Sequence, residues 1–393
     1  MNERSPSCAM GAASMHPLRV RLGEVCKEVS IRNKDGRIKA VFSVTNSKGF
    51  VPSTDYFNKE VFSKNLATYK IVECGMFAYN PSRINVGSIG CYNDTDPVVV
   101  SPLYVVFSVD ETQVDHSYLL SFLKGDFALA QVKNLTSGSV RDSLKFSAFC
   151  QILIHLPSLA KQRQIAARID NISKIVTKRK AQLGQLQQLV KSRFVEMFGD
   201  PMTNPLEWTM ARLGDKCTIT TGNTPPRADA KNYGDFIEWI KSDNIVDGQL
   251  TRAVERLSEE GFEKSRYAGP GAILMTCIAG SLNSIGNCAM VDRQVAFNQQ
   301  LNAITPGEEY DGVFLLWLLR LSKRGLHKGI NKCLKGILSK GNLSGKELPL
   351  PPLTLQREFA AFVAKVDKLA FAVRKSLETA EKLYRQQLSE AFA

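Results

Sequence analysis

The sequence predicts a mixed α/β (α+β) protein built as a tandem pseudo-twofold repeat, with one long helix after each of two globular parts. Three observations predict this. Residues 156–199 align without a gap with residues 350–393, at an offset of 194, and 12 of those 44 positions are identical. They include Lys174/Lys368, Leu183/Leu377, Glu196/Glu390 and Phe198/Phe392. The stretches 158–199 and 354–393 contain no proline and repeat apolar residues every three or four positions, the period of a one-sided helix. Between them, short β-rich runs alternate with turn clusters. The repeat unit of about 190 residues is far longer than a solenoid repeat, so two domains are expected and not an array.

In chain order, residues 1–16 read as a disordered leader. They are rich in Ala, Ser and Gly, carry Glu3 and Arg4, and lack the apolar segment of a signal peptide. Residues 17–157 form the first globular part, with strands at Val98–Val100 and Tyr104–Phe107, a turn at Asn80-Pro81-Ser82 and a helix over 115–124. Residues 158–199 are the first long helix, opened by Pro157 and stopped by Gly199-Asp200-Pro201. Residues 200–353 form the second globular part, with a turn at Thr224-Pro225-Pro226-Arg227 and a helix over 311–324. Residues 354–393, after Pro351 and Pro352, are the second long helix. The globular parts repeat more faintly: Arg21-Leu22-Gly23-Glu24 answers Arg212-Leu213-Gly214-Asp215. Ser88-Ile89-Gly90 answers Ser284-Ile285-Gly286, and Gly75 answers Gly271, both at offset 196.

Forty residues of helix span roughly 60 Å. A single apolar stripe of that length needs a partner, and the repeat copy is the nearest one. The two helices are therefore expected to pair with each other. The expected interface is Ile165, Ile169, Ile172, Val176, Leu183 and Leu186 against Phe359, Val363, Val366, Leu369, Val373 and Leu377. The plainer alternative is that each helix packs only on its own globular part.

The composition excludes several classes. At 44% hydrophobic and 23% charged, the chain can bury sizeable cores and is neither disordered nor collagen-like. Nine cysteines without metal-ligand spacing, among only four histidines, argue against a disulfide framework or a zinc site. No apolar run approaches the roughly 18 residues of a membrane span. There is no glycine-rich phosphate loop ending in Gly-Lys-Ser/Thr, no dinucleotide fingerprint and no nucleophile elbow. The Asn/Asp-Pro-Pro-Tyr/Phe signature of amino-methylating DNA enzymes is absent: Asn80-Pro81 runs on to Ser82-Arg83, and Asn204-Pro205 to Leu206-Glu207. A non-enzymatic role, with no catalytic residues, is expected. The formal net charge of +13 suits an acidic partner. Its distribution is uneven: residues 158–199 hold nine basic and two acidic groups, a net +7, while residues 200–353 hold 18 and 17, a net +1.

The chain resembles the specificity subunit of type I restriction–modification systems, over nearly its full length. The resemblance rests on the repeated lead-in to each long helix, Leu156-Pro157 through Gln162-Arg163 and Leu350-Pro351 through Gln356-Arg357. It also rests on Phe198-Gly199-Asp200-Pro201, the two Arg-Leu-Gly segments and Phe77 to Gly90. Trp239-Ile240-Lys241-Ser242-Asp243-Asn244-Ile245 and Leu338 to Leu343 have the same character. The lead-in departs from the family's usual Glu-Gln, with Lys161-Gln162 and Leu355-Gln356. The resemblance implies two target-recognition domains, each reading half of a split asymmetric site on double-stranded DNA, with the helices paired as an antiparallel coiled coil that sets the spacer. It implies two modification (methyltransferase) subunits as partners and restriction subunits that translocate DNA, in a cytoplasmic complex away from membranes. S-adenosylmethionine, ATP and magnesium belong to those partners, and this chain itself holds no cofactor and no metal. The alternatives are the recognition subunit of a methylation-only or two-sided-cutting system, and a helical scaffold that does not bind DNA.

Base edges are read by Arg or Lys on guanine and by Asn or Gln on adenine, while hydroxyls and backbone amides hold phosphate. The candidates in the first domain are Arg32, Lys34, Arg37, Asn80, Arg83, Ser139, Arg141 and Lys145. In the second they are Arg227, Lys231, Asn232, Lys241, Asn244, Asn283, Gln299, Lys332 and Lys335. Tyr79 and Phe297, although beside polar loops, read as core aromatics.

Overall fold

A computed structural model describes residues 19–56, 65–136, 143–327 and 336–392. The candidates Ser139, Arg141, Lys332 and Lys335, and the leader 1–16, lie outside the described residues. The long helices run Leu159–Phe198 and Leu353–Phe392. The chain divides into two compact units, one joining Met1–Arg179 to Ser376–Ala393 and the other comprising Lys180–Lys375. This differs from the partition drawn from the sequence, because each unit takes one half of each long helix. The reason is packing: the apolar stripe of each half-helix fills the globular core beside it.

In the first unit the central sheet is antiparallel throughout, in the order Cys26–Val29, Val105–Val109, Phe77–Tyr79, Ile89–Cys91. Alternate side chains serve two cores. Phe77, Tyr79, Ile89 and Phe107 face a core with the helix His116–Leu123, while Ala78 and Val106 join Val44, Val72, Val98 and Val100. The second unit repeats this sheet as Cys217–Thr221, Leu301–Pro306, Ile273–Thr276, Cys288–Met290. Ile273 and Met275 again face the helix-lined core, and Leu274 faces the other. A second four-stranded sheet follows there, in which Tyr233–Ile240 runs parallel to Val295–Phe297. The expected helix over 311–324 is Gly312–Leu321, capped by Asp311, with a break at Ser322 before the short helix Lys323–Leu326. A helix at Asp126–Thr136 was not foreseen.

The shared motifs turn out to be structural fastenings. Leu22 and Leu213 are fully buried, and their backbone amides donate to Ile152 and Lys346 carbonyls at 2.9 and 2.8 Å. Gly23 and Gly214 admit the chain that passes over them: a Cβ at either would lie 2.9 Å from Cys150 Cβ or 2.8 Å from Ser344 Cβ. The pairing of Ser88-Ile89-Gly90 with Ser284-Ile285-Gly286 is corrected. Gly87 and Gly286, at φ 82° and 83°, occupy the same left-handed turn position. The loops close identically, Asn80 donating its amide to Ser88 O at 3.1 Å and Thr276 to Asn287 O at 2.8 Å. The second loop is therefore longer by three residues, and the tripeptide match was out of register. Glycine is required because a Cβ in this conformation costs about 1–2 kcal/mol, and at Gly87 it would also meet Asn46 Oδ1 at 2.8 Å. Gly87→Ala is expected to lower the first unit's stability by at least that amount, read as loss of amide-exchange protection in Phe77–Tyr79 and Ile89–Cys91.

In each unit the start of one long helix packs with the end of the other, so they run antiparallel there. Ala166 and Ile169 share a core with Phe392, Tyr384 and Leu388. Val190, Phe194 and Phe198 share one with Phe359, Val363 and Val366. Of the expected interface residues, Ile169, Ile172, Phe359, Val363 and Val366 are buried. Ile165, Val176, Leu183, Leu186, Val373 and Leu377 are half-buried. Leu369 is corrected: it is 59% exposed, and Ala370 takes the inward position. From Val366 the stripe can continue at three or four residues, and the drift of a 3.6-residue turn selects the latter.

Each lead-in glutamine latches its helix to the globular part. Gln162 is fully buried; its Oε1 accepts from Asp115 N at 2.9 Å, and its Nε2 donates to Gln113 O and Pro157 O, both at 2.8 Å. Gln356 repeats every bond, with Asp311 N at 2.9 Å, Glu309 O at 3.0 Å and Pro351 O at 2.8 Å. Asp115 and Asp311 are in turn the caps of the helices His116–Leu123 and Gly312–Leu321.

Candidate nucleic-acid interface

In the second unit, the strand Tyr233–Ile240 and the loop 222–227 gather most of the candidates. The loop is tied down by side chains from the strand and its approach. Tyr233 Oη donates to Pro225 O at 2.9 Å, and Asn232 Nδ2 to Pro226 O at 3.0 Å. Trp239 Nε1 donates to Asn223 O at 3.4 Å. The loop thereby delivers Arg227, whose guanidinium lies 5.3 Å from the Trp239 ring centre and 5.6 Å from that of Tyr233. Lys241 Nζ lies 5.1 Å from the same Trp239 ring. Glu255 joins the two cations, 3.1 Å from Arg227 Nη2 and in close contact with Lys241 Nζ.

The other candidates surround this cluster in different roles. Asn244 accepts from Lys241 N at 2.9 Å and holds the short turn Ser242–Asn244. Gln299 Oε1 contacts Thr224 Oγ1 in the same loop. Lys231 is exposed, with its backbone amide on Asp229. Asn232 is corrected: it is fully buried and accepts from Lys264 Nζ at 2.9 Å, so it braces the loop and presents nothing to a ligand. Asn283 sits apart, exposed on the turn Leu282–Ser284.

In the first unit the candidates form two groups. Arg32, Lys34 and Arg37 lie on a loop stitched by buried Asn33, which donates to Ile38 O at 2.8 Å. Arg37 is 86% exposed and pairs with Asp35 at 2.9 Å. Asn80, Arg83 and Lys145 form the second group, joined where Leu144 N donates to Pro81 O at 3.0 Å. Tyr79 is core, donating its hydroxyl to Leu144 O at 3.1 Å, and Phe297 is fully buried.

Sequence reasoning missed Glu255 and the aromatic wall. The available signal was strand alternation, which puts Trp239 and Lys241 on one face. It also missed Glu238, a buried carboxylate that accepts from Ala253 N at 3.1 Å and pairs with Arg293 and, at 3.2 Å, with Arg252. Burial works to raise its pKa, but the Arg293 and Ala253 hydrogen bonds and the second arginine hold it below the ordinary value. A depressed carboxylate stabilises the fold above its unfolded pKa, near 4.5, and that contribution is lost as pH falls through the lower folded value. Acid titration of the second unit by tryptophan fluorescence is expected to show an unfolding limb below about pH 4.5, and Glu238→Gln should flatten it.

Among the described residues, no group of three or more His, Cys, Asp or Glu could hold a metal ion, and no helix is long and apolar enough to cross a membrane.

The profile of the type I restriction modification DNA specificity domain matches twice, at residues 19–185 and 205–381. The chain belongs to that family and carries two copies of its domain. Among its relatives, the EcoBI specificity subunit of Escherichia coli is 24% identical over 426 residues, covering 90% of this chain and 84% of that one. The HindI specificity subunit of Haemophilus influenzae is 29% identical over 140 residues, 35% of this chain and 28% of the relative. The fold is shared with the crystal structure of a type I restriction–modification S subunit from M. genitalium, at a TM-score of 0.57 and 13% identity, covering 96% of each chain.

Proposed function

We propose that each globular part reads one half of a bipartite asymmetric site on double-stranded DNA, and that the chain performs no chemistry of its own. The observation that carries this reading is the contrast between mounting and surface. The central sheet, the Arg-Leu-Gly plug, the glutamine latch and the helix pairing recur position by position. The polar surfaces do not: Asn80 on the first half's loop answers to Thr276, which is buried in the second. The Trp239 cation cluster has no counterpart among the described residues of the first unit, where the corresponding kind of contact is Arg19 near Phe127 at 5.8 Å. Equal mountings with unequal surfaces suit two readers of different sequence.

On this reading two modification subunits dock on the paired helices and supply S-adenosylmethionine-dependent adenine methylation. Restriction subunits supply ATP- and magnesium-dependent translocation and cleavage, and the assembly works in the cytoplasm. The basic first helix, with exposed Arg168, Lys178 and Lys191, faces the spacer phosphates or an acidic patch of the modification subunits. The test is single-molecule methylome sequencing of a host with and without this gene. A bipartite N6-methyladenine motif should vanish on deletion; unchanged methylation with the partners expressed would overturn the reading.

A further inference from the structure

We propose that Glu255 is a specificity-determining residue of the second reader, a built-in competitor that screens Arg227 and Lys241 from phosphate and leaves them to base edges. This rests on the DNA-reading function proposed above and names one device within it.

The geometry carries the inference. Arg227 and Lys241 lie 5.3 and 5.1 Å from the centre of one buried indole ring, a setting that favours a cation. Trp239 is 1% exposed, so its ring is a fixed wall. Two cations so placed would attract any phosphate, and phosphate attraction carries no sequence information. Glu255 contacts both cations at once through its two carboxylate oxygens. Its place is fixed as well, since its own carbonyl accepts from Trp239 N at 3.1 Å. The pair is therefore partly neutralised, with Arg227 Nη2 and Lys241 Nζ turned to the carboxylate and the rest of the guanidinium open. A lone phosphate oxygen must displace a carboxylate that matches it in charge. A phosphate that approaches the guanidinium edge left open, on a side chain 60% exposed, meets the repulsion of that carboxylate, whereas the neutral two-acceptor edge of a guanine does not. Lys241 and Glu255 are each about 30% exposed, so the network sits at the surface and not within the core.

The experiment uses the full chain carrying Glu255→Gln, which keeps the shape but removes the charge and leaves one acceptor oxygen in place of two. Binding to a random-sequence duplex is measured by fluorescence anisotropy over a salt series. The expected result is roughly tenfold tighter random binding at low salt, with a salt dependence steeper by about one to two released ions. The control Glu263→Gln, an exposed carboxylate of the same unit, should change neither. Adding Lys241→Gln to Glu255→Gln should return the slope toward wild type. In the host methylome, Glu255→Gln should relax the second half-site and leave the first unchanged, which also shows that the variant is folded. No gain in random binding, or an equal gain for Glu263→Gln, would overturn the proposal whether or not the wild type binds. The deletion methylome judges the DNA-reading function separately, so the two failures are distinguishable.

Discussion

Phe194→Ala is expected to destabilise the second unit by about 3–5 kcal/mol, the usual cost of emptying a buried aromatic site. Phe194 is fully buried and packs against three other phenylalanines. It stacks on Phe314 at 5.4 Å, meets Phe359 edge-on at 5.3 Å and lies 5.0 Å from Phe198. One side chain thus joins both long helices to the helix Gly312–Leu321, and its loss cannot be repaired by any one of them. The readout is specific to this unit, because all three tryptophans of the chain, Trp208, Trp239 and Trp317, belong to it. The tryptophan-fluorescence midpoint in urea should fall sharply, and Phe194→Leu should recover much of the loss. A shift under about 1 kcal/mol would show that the cluster repacks freely, contrary to the close packing of protein interiors.

Gln356→Leu should cost about 3 kcal/mol or more, although leucine is the more hydrophobic residue. Its amide satisfies three backbone groups, and each left unpartnered in a dry site costs about 1–3 kcal/mol. Ordinary core arithmetic predicts the opposite sign, so the outcome is decisive. The matching change Gln162→Leu should damage the first unit and leave the tryptophan signal nearly still, an asymmetry that hydrogen exchange would resolve.

The long helices were legible because their signal is local: a proline-free stripe stopped by Gly199-Asp200-Pro201 needs no tertiary information. The repeat was legible for the same reason, and it led to the family. What could not be read was register and role. Ser-Ile-Gly matched by letters, but the backbone places Gly87 against Gly286, because a left-handed turn constrains one glycine and not its neighbours. Asn232 looked like a base reader because sequence does not distinguish a polar side chain facing solvent from one turned inward to tie a loop. Glu255 was invisible for the converse reason. It lies 28 residues from Arg227 and 14 from Lys241, and only the fold of the second sheet brings the three together.

The division of each long helix between two units bears on the order of synthesis. The second unit is drawn from the unbroken stretch Lys180–Lys375, so all the residues that compose it are available once that stretch has left the ribosome. The first unit, although made earlier, draws Tyr384, Leu388 and Phe392 into its core, with Phe392 against Tyr118 at 5.1 Å and Phe122 at 5.4 Å. Its apolar surface therefore waits, unfinished, for the whole of the second unit to be translated. A frameshift or stop codon just beyond residue 375 would spare every residue of the second unit and remove Tyr384, Leu388 and Phe392 from the core of the first.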